Sequence, residues 1–118
     1  MESWLGWLPQ IGAVLMLLIG LVGLVNPWPM LKPMAITAAS TMGQSEIRAV
    51  FGGLHIGAAS SALLLQEQAA FVVIGSMWCG ALLGHIYSIF ADGGNFKENA
   101  TGFVVNGLLA ALLLSSLL

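Results

Sequence analysis

The sequence predicts an all-α integral membrane protein, a single domain over residues 1–118 folded as a four-helix bundle. Hydrophobic residues make up 58% of the chain and charged residues 7%, whereas an ordinary soluble domain is about a quarter charged. A soluble core of this length could not bury so much apolar surface, so the excess must face lipid or other protein. Four stretches without formal charge each approach the ~20 residues that a spanning helix needs.

The four predicted helices follow these stretches in order. Three prolines, Pro27, Pro29 and Pro33, close the first helix, and the chain beyond Glu98 is free of charge to its last residue. Gln66 to Gln68 form a tight turn, which makes the second and third helices antiparallel neighbours. The predicted helices cover residues of about 8–25, 46–65, 69–90 and 101–117.

The first connection is unusually long for a helical bundle. Within it, residues 35–42 are predicted to form a short helix at the membrane interface, carried by Trp28 and the neighbouring methionines. By contrast, the short second turn leaves no room for structure of its own.

Charge along the chain predicts the orientation in the membrane. The three basic residues, Lys32, Arg48 and Lys97, fall in or beside the first and third connections, so the positive-inside rule places both termini outside. With a net charge of −2, no basic stripe exists that could neutralise a phosphate backbone, and nucleic acid is excluded as a partner. Cys79 lies inside an apolar run and is interpreted as a small buried hydrophobic residue.

Small residues predict where the helices meet. Helix association in lipid depends on close backbone approach rather than on the hydrophobic effect, and this chain has 15 glycines. Glycines recur at helical spacing on the first and third helices, and a small-residue face runs along the second. Whether each seam is internal or lies between subunits is left open. The predicted packing residues are Gly12, Gly20, Gly23, Gly52, Ala59, Gly80 and Gly84.

Ionisable and polar side chains are predicted to gather near one leaflet. Arg48 and His55 share one face of the second helix, and Asn106 points inward from the fourth. Such groups inside a membrane are candidates for function. The competing interpretation is structural: Arg48 snorkels to the interface and Asn106 bridges helices. We call the predicted cluster the vestibule; it comprises Glu46, Arg48, His55, His85, Ser88, Asp92 and Asn106.

No cofactor is predicted at the vestibule. With the second turn as a ruler and a rise of ~1.5 Å per residue, His55 lies ~10 Å deeper than His85, which disfavours haem held by both histidines. Contact of one histidine with haem or a pigment stays open. Neither paired metal-ligand spacing nor a nucleophile beside a base is present, so we expect no metal site and no catalytic residue.

One segment carries a family resemblance. Residues 46–53 read EIRAVFGG, and residues 84–88 read GHIYS before Asp92 and Gly93. In these motifs the chain resembles a family of small four-helix bacterial membrane proteins known as domain of unknown function 4345, and more loosely DoxX-like proteins. The resemblance implies the fold and a bacterial inner-membrane location, not a reaction. Where that family usually has a basic residue, mostly arginine, this chain has His85.

Two functions are favoured after these exclusions, and an unrecognised membrane enzyme is a third alternative. The first is a non-enzymatic accessory or interaction subunit of a larger membrane complex, because turns this short leave almost nothing in water to act independently. Its partners would be membrane lipids and other membrane subunits, or further copies of the chain. The alternative is binding or transport of a small lipophilic or anionic ligand, such as a lipid, quinone or pigment, in the vestibule.

Overall fold

The computed structural model describes residues 6–118, and within that range the chain is helical without any strand. A bilayer core offers no water to the backbone N–H and C=O groups of so apolar a chain. A helix satisfies these groups with its own hydrogen bonds. The α-helices are α1 Leu8–Val25, α2 Trp28–Leu31, α3 Thr41–Ile47, α4 Leu54–Leu65, α5 Gln68–Asp92 and α6 Ala100–Leu114.

Three tighter or wider helical segments lie between or after these helices in residues 8–118. Lys32–Met34 and Ser115–Leu117 are 3₁₀ turns, and Arg48–Gly53 is a π-helical segment that joins α3 to α4. Four continuous helices are therefore long and apolar enough to cross a membrane, and we call them the first to fourth spans. They cover Leu8–Val25, Thr41–Leu65, Gln68–Asp92 and Ala100–Leu117. The predicted all-α fold with four spanning helices is confirmed.

The second span starts earlier than predicted, at Thr41 rather than at residue 46. Ser40 has an extended backbone, and its hydroxyl accepts a hydrogen bond from the backbone N–H of Gly43 at 3.3 Å. A serine in this position satisfies one of the unpaired N–H groups of the first turn. The helix therefore begins directly after the capping residue Ser40 and not at Glu46, the first charged residue of the span.

The predicted interfacial helix over residues 35–42 is wrong in position. Residues 35–40 are not helical, and the short helical stretch of this connection runs from Trp28 through Met34. Pro29 and Pro33 each stand in a first helical turn, where the missing N–H of proline costs nothing. The prolines that were expected only to end α1 also begin the helices that follow it.

The second and third spans each end at a residue with left-handed backbone. Gln66 in the turn between them has φ 53°, and Gly93 just after α5 has φ 74°. A left-handed residue after the last helical turn is a common helix ending, and glycine adopts it without a steric cost. Gln66 and Gly93 therefore mark where α4 and α5 end.

The chain divides into two compact units, residues 13–64 and residues 6–12 together with 65–118. In the unit of residues 13–64, α1 lies against the π-helical segment and α4 so closely that Cβ atoms added at Gly20 and Gly52 would come within 3.0 Å of neighbouring atoms. In the other unit α5 and α6 pack together, and added Cβ atoms at Gly12 and Gly75 would meet Leu113 at 3.0 and 3.1 Å.

Large apolar side chains cover the outside of the spans. Leu64 is 85% exposed and Phe90 83% exposed. Exposure of so many large apolar side chains to water would be unfavourable. In a bilayer these side chains contact acyl chains instead. The interior holds small residues such as Ala13 and Ala59 beside larger ones such as Met16 and Leu113, all of them fully buried. The exposed surface thus agrees with the membrane location.

Candidate functional site

The vestibule residues divide between the two units. Glu46, Arg48 and His55 belong to residues 13–64, whereas His85, Ser88, Asp92 and Asn106 belong to the other unit. Their convergence on one vestibule stays a prediction, and the contacts of each residue are described within its own unit.

Arg48 caps the C-terminal end of the first span. Its guanidinium Nη1 donates hydrogen bonds to the backbone carbonyl oxygens of Leu24 and Val25, the latter at 2.9 Å. The last four carbonyls of a helix have no partner within the helix, and a cation there also complements the negative end of the helix dipole. The half-buried guanidinium of Arg48 thus satisfies two of the unpaired carbonyl oxygens at the end of α1.

Two glycines bring the guanidinium to this place. A Cβ atom at Gly23 would overlap the carbonyl group of Phe51, and one at Gly52 would lie 2.6 Å from the backbone nitrogen of Leu24. The two backbones therefore touch at Gly23 and Gly52. Arg48 precedes Gly52 by one helical turn, so its long side chain reaches the last turn of α1.

His55 is bonded to the π-helical segment of its own span. Its Nδ1 lies 2.8 Å from the carbonyl oxygen of Val50, and its ring is stacked on Phe51 with centroids 6.5 Å apart. A π-turn displaces carbonyls from the regular i to i+4 ladder, so a side-chain donor can take one up. Because a carbonyl oxygen only accepts, Nδ1 carries the proton of the imidazole in this arrangement.

Glu46 lies on α3, just before the π-helical segment, and its side chain is exposed. Like Arg48, it stands in the first half of the second span. Because the span begins at Thr41, Glu46 lies within its first two turns rather than at its start, where the prediction put it.

His85 links the third span to the start of the fourth. Its Nδ1 lies 2.7 Å from Oδ1 of Asn99, the residue that immediately precedes α6. The side-chain amide of Asn99 in turn donates to the carbonyl oxygen of Asn95 at 2.9 Å, which leaves Oδ1 facing the imidazole. His85 therefore donates from Nδ1 and holds the residue from which α6 starts.

The imidazole of His85 also covers the backbone of Gly102. A Cβ atom added at Gly102 would lie 2.5 Å from Nε2 and 2.7 Å from Cε1 of this ring. On the other side Phe103 is tilted against His85 with centroids 5.9 Å apart, and Phe96 contacts Phe103 at 5.3 Å. The ring is thus enclosed by an amide, a glycine and an aromatic pair.

The remaining vestibule residues of this unit have local roles or lie inside. Ser88 Oγ donates to Asp92 Oδ2 at 2.7 Å, one helical turn further along α5. Asn106 is 8% exposed and lies on the same buried face of α6 as Leu109 and Ala110. The bond between Ser88 and Asp92 fastens the last turn of α5 rather than opening toward a ligand.

The predicted packing residues fall into two groups. Five lie buried: Gly12, Gly20, Gly23, Gly52 and Ala59. The other two, Gly80 and Gly84, are exposed, and a Cβ atom added at either would meet no atom of the described residues within 4 Å. Gly80 and Gly84 thus make no close contact within the part of the chain that the structure describes, and the partner of this seam stays open.

Sequence reasoning missed a polar cluster at the opposite membrane surface. Gln10 and Gln66 exchange amide hydrogen bonds of 2.6 and 2.9 Å, and Gln68 Nε2 donates to the carbonyl oxygen of Ser116 at 2.7 Å. A small cavity of about 220 Å³ lies among these residues. Glutamines at span ends could have signalled it, but nothing in their spacing predicts which of them pair.

These features define a membrane protein with four transmembrane helices whose intramembrane polar groups mostly bond to backbone or to near neighbours. Among residues 6–118, no three His, Cys, Asp or Glu side chains come together as a metal site. No family model, no curated protein and no solved structure matches this chain. The family resemblance drawn from residues 46–53 and 84–93 stays a prediction.

Proposed function

We propose that this protein is a non-enzymatic accessory or interaction subunit of a larger membrane complex. Its place is the bacterial inner membrane, with both termini outside. The arrangement of polar side chains supports this function, because Arg48, His55 and His85 each form hydrogen bonds that fix the helices. Groups used in this way contribute to shape and orientation rather than to a reaction.

The observation that carries the proposal is the open glycine face of the third span. Ser76, Gly80 and Gly84 follow one another at four-residue intervals, and all three are exposed. Glycine within a helix costs about 1 kcal/mol relative to alanine, and among residues 6–118 Gly80 and Gly84 gain no close contact in return. Contact with a transmembrane helix of another subunit would supply that gain, since small residues let backbones approach closely in lipid.

Extraction in a gentle detergent, followed by native mass measurement, tests the proposal. The unaltered protein should come away with foreign subunits in fixed stoichiometry, and Gly80→Leu with Gly84→Leu should release them. Gly57→Leu is the matched control, because Gly57 is equally exposed and open but lies on the second span. Recovery of the protein alone or only with its own copies would refute the accessory function, and so would equal effects of the two sets of variants.

A further inference from the structure

The first connection lines an open cavity that the vestibule does not include. It has a volume of about 890 Å³ and lies wholly within the unit of residues 13–64. This volume falls in the range of ~300–1,000 Å³ typical of small-molecule sites. Its walls come from the segment after α1, the irregular residues before the second span, and α3. The residues that matter here are Asn26, Trp28, Lys32, Ile36, Ala38 and Gln44.

The chemistry of the walls is amphipathic with one positive charge. Trp28, Ile36 and Ala38 present apolar surface, whereas Asn26 and Gln44 supply amides. Lys32 is the only ionisable residue of the lining, which has no acidic member. A negative charge inside this cavity would therefore meet an ammonium group and amide donors without a competing carboxylate.

The wall that carries Lys32 is fixed by its own backbone. The N–H of Ala35 donates to the carbonyl of Lys32 at 3.0 Å, and the N–H of Ile36 donates to Leu31 at 3.2 Å. This pair of bonds is a Schellman ending, completed by Ala35 in the left-handed region at φ 57°. Lys32 and Ile36 therefore keep their places in the wall before a ligand arrives, which lowers the cost of binding.

The position of the cavity identifies the kind of molecule that reaches it. It lies between the end of the first span at Val25 and the start of the second at Thr41, hence at a membrane boundary. Tryptophan and lysine are both typical of that boundary, where apolar chains end and headgroups begin. A ligand there has a charged head beside an apolar tail.

We propose that this cavity binds an anionic phospholipid, with its phosphate headgroup at Lys32 and an acyl chain against Ile36 and Ala38. The proposal is independent of the accessory function, because it uses neither the glycine face of the third span nor the vestibule. A soluble phosphate compound shares the headgroup chemistry and is treated as a separate outcome of the test.

Native mass spectrometry in detergent tests the site with dioleoyl phosphatidylglycerol and dioleoyl phosphatidylcholine as probes. One basic residue at an anionic membrane surface contributes about 1 kcal/mol, so the anionic lipid should bind roughly fivefold more tightly. Lys32→Gln should remove this preference and Lys32→Arg should keep it. Ala38→Phe, which fills the apolar part of the cavity, should weaken binding of both lipids.

Lys97→Gln is the matched control, since Lys97 is an exposed lysine of the third connection and does not line the cavity. Unchanged melting temperatures of the variants in detergent establish that each is folded. Equal binding of the two lipids to the unaltered protein would overturn the proposal, as would the same loss in Lys97→Gln. Binding of inorganic phosphate that depends on Lys32, without a preference between the lipids, would also overturn it in favour of a soluble anion.

Discussion

Arg48 and Gly52 lie one helical turn apart and act on the same neighbour. Gly52 allows the backbone of the second span to touch α1 at Leu24, and Arg48 then bonds the carbonyls of Leu24 and Val25. The backbone contact requires that Gly52 has no side chain, and the cap on α1 requires the long side chain of Arg48. Neither residue could be exchanged for the other without loss of both interactions.

Substitution of Gly52 by alanine should destabilise the protein by about 1–3 kcal/mol, the usual cost of forcing an extra methyl group into a filled space. The added Cβ would lie 2.6 Å from backbone that cannot swing away. Gly53→Ala is the control, because the neighbouring position is open and alanine favours a helix by about 0.5–1 kcal/mol there. Unfolding in mixed micelles measures both, and equal effects would contradict the close contact.

Loss of the charge at Arg48 should cost about 1.5–3 kcal/mol in the free energy of unfolding, the range for hydrogen bonds that involve a charged group. Arg48→Gln removes the guanidinium that bonds both carbonyls, while Arg48→Lys keeps a cation near the helix end and should cost less. Lys97→Gln, on an exposed connection, should leave the value nearly unchanged. Unfolding in the same mixed micelles should show the largest loss in free energy for Arg48→Gln, a smaller one for Arg48→Lys and almost none for Lys97→Gln.

At the scale of elements, the start of α6 is held by a side chain from α5. Asn99 precedes the helix without a side-chain bond to its first turn, and instead its amide oxygen faces His85. The imidazole then lies across Gly102. The direction in which the fourth span leaves the third connection is therefore set by one histidine and the glycine under it.

Gly102→Ala should destabilise the protein by about 1–3 kcal/mol, because the new methyl group pushes the imidazole off Asn99. In a His85→Ala background the same substitution should cost little, so the two changes are coupled by more than 0.5 kcal/mol. Gly107→Ala serves as the control on the same helix, since an added Cβ there meets no described atom within 4 Å. Additive effects of Gly102→Ala and His85→Ala in a double-mutant cycle would rule out this contact.

The lengths of the four spans could be read from the sequence, but their local geometry could not. Hydropathy and charge gave helices close to the observed ones because span length is set by bilayer thickness. The π-helical segment Arg48–Gly53 and the bond from His55 to Val50 had no signal of their own, since they arise where α1 presses on the second span. The glycines of EIRAVFGG indicated a close helix contact but not that this segment is π-helical.

The rare polar residues of the apolar stretches could be identified from the sequence, but their hydrogen-bond partners could not. Arg48, His55 and His85 stood out as rare polar residues in apolar surroundings. Spacing alone could not show that Arg48 bonds carbonyls 23 and 24 positions earlier, or that His85 meets Asn99. The cavity at Lys32 escaped notice because its walls are irregular chain, whose path depends on the Schellman ending at Ala35.

At the scale of the whole molecule, four spans place the first and third connections on one side of the membrane and the second turn on the other. An impermeant maleimide applied to intact cells, in a Cys79→Ala background, should label Glu67→Cys and leave Ala39→Cys and Asn95→Cys unlabelled. This pattern is the one expected for the proposed orientation, with both termini outside. Labelling of Ala39→Cys in intact cells would reverse the orientation, and labelling of all three sites alike would contradict four crossings.

The cap that Arg48 provides also has a consequence for biosynthesis. When the ribosome has delivered the first hydrophobic helix, the carbonyls of Leu24 and Val25 must still bond water or lipid headgroups, because their permanent donor is 24 and 23 positions away in a segment not yet made. The first helix can complete its end only when the second enters the membrane beside it. Residues 13–64 are then expected to insert as a pair of helices rather than one after the other.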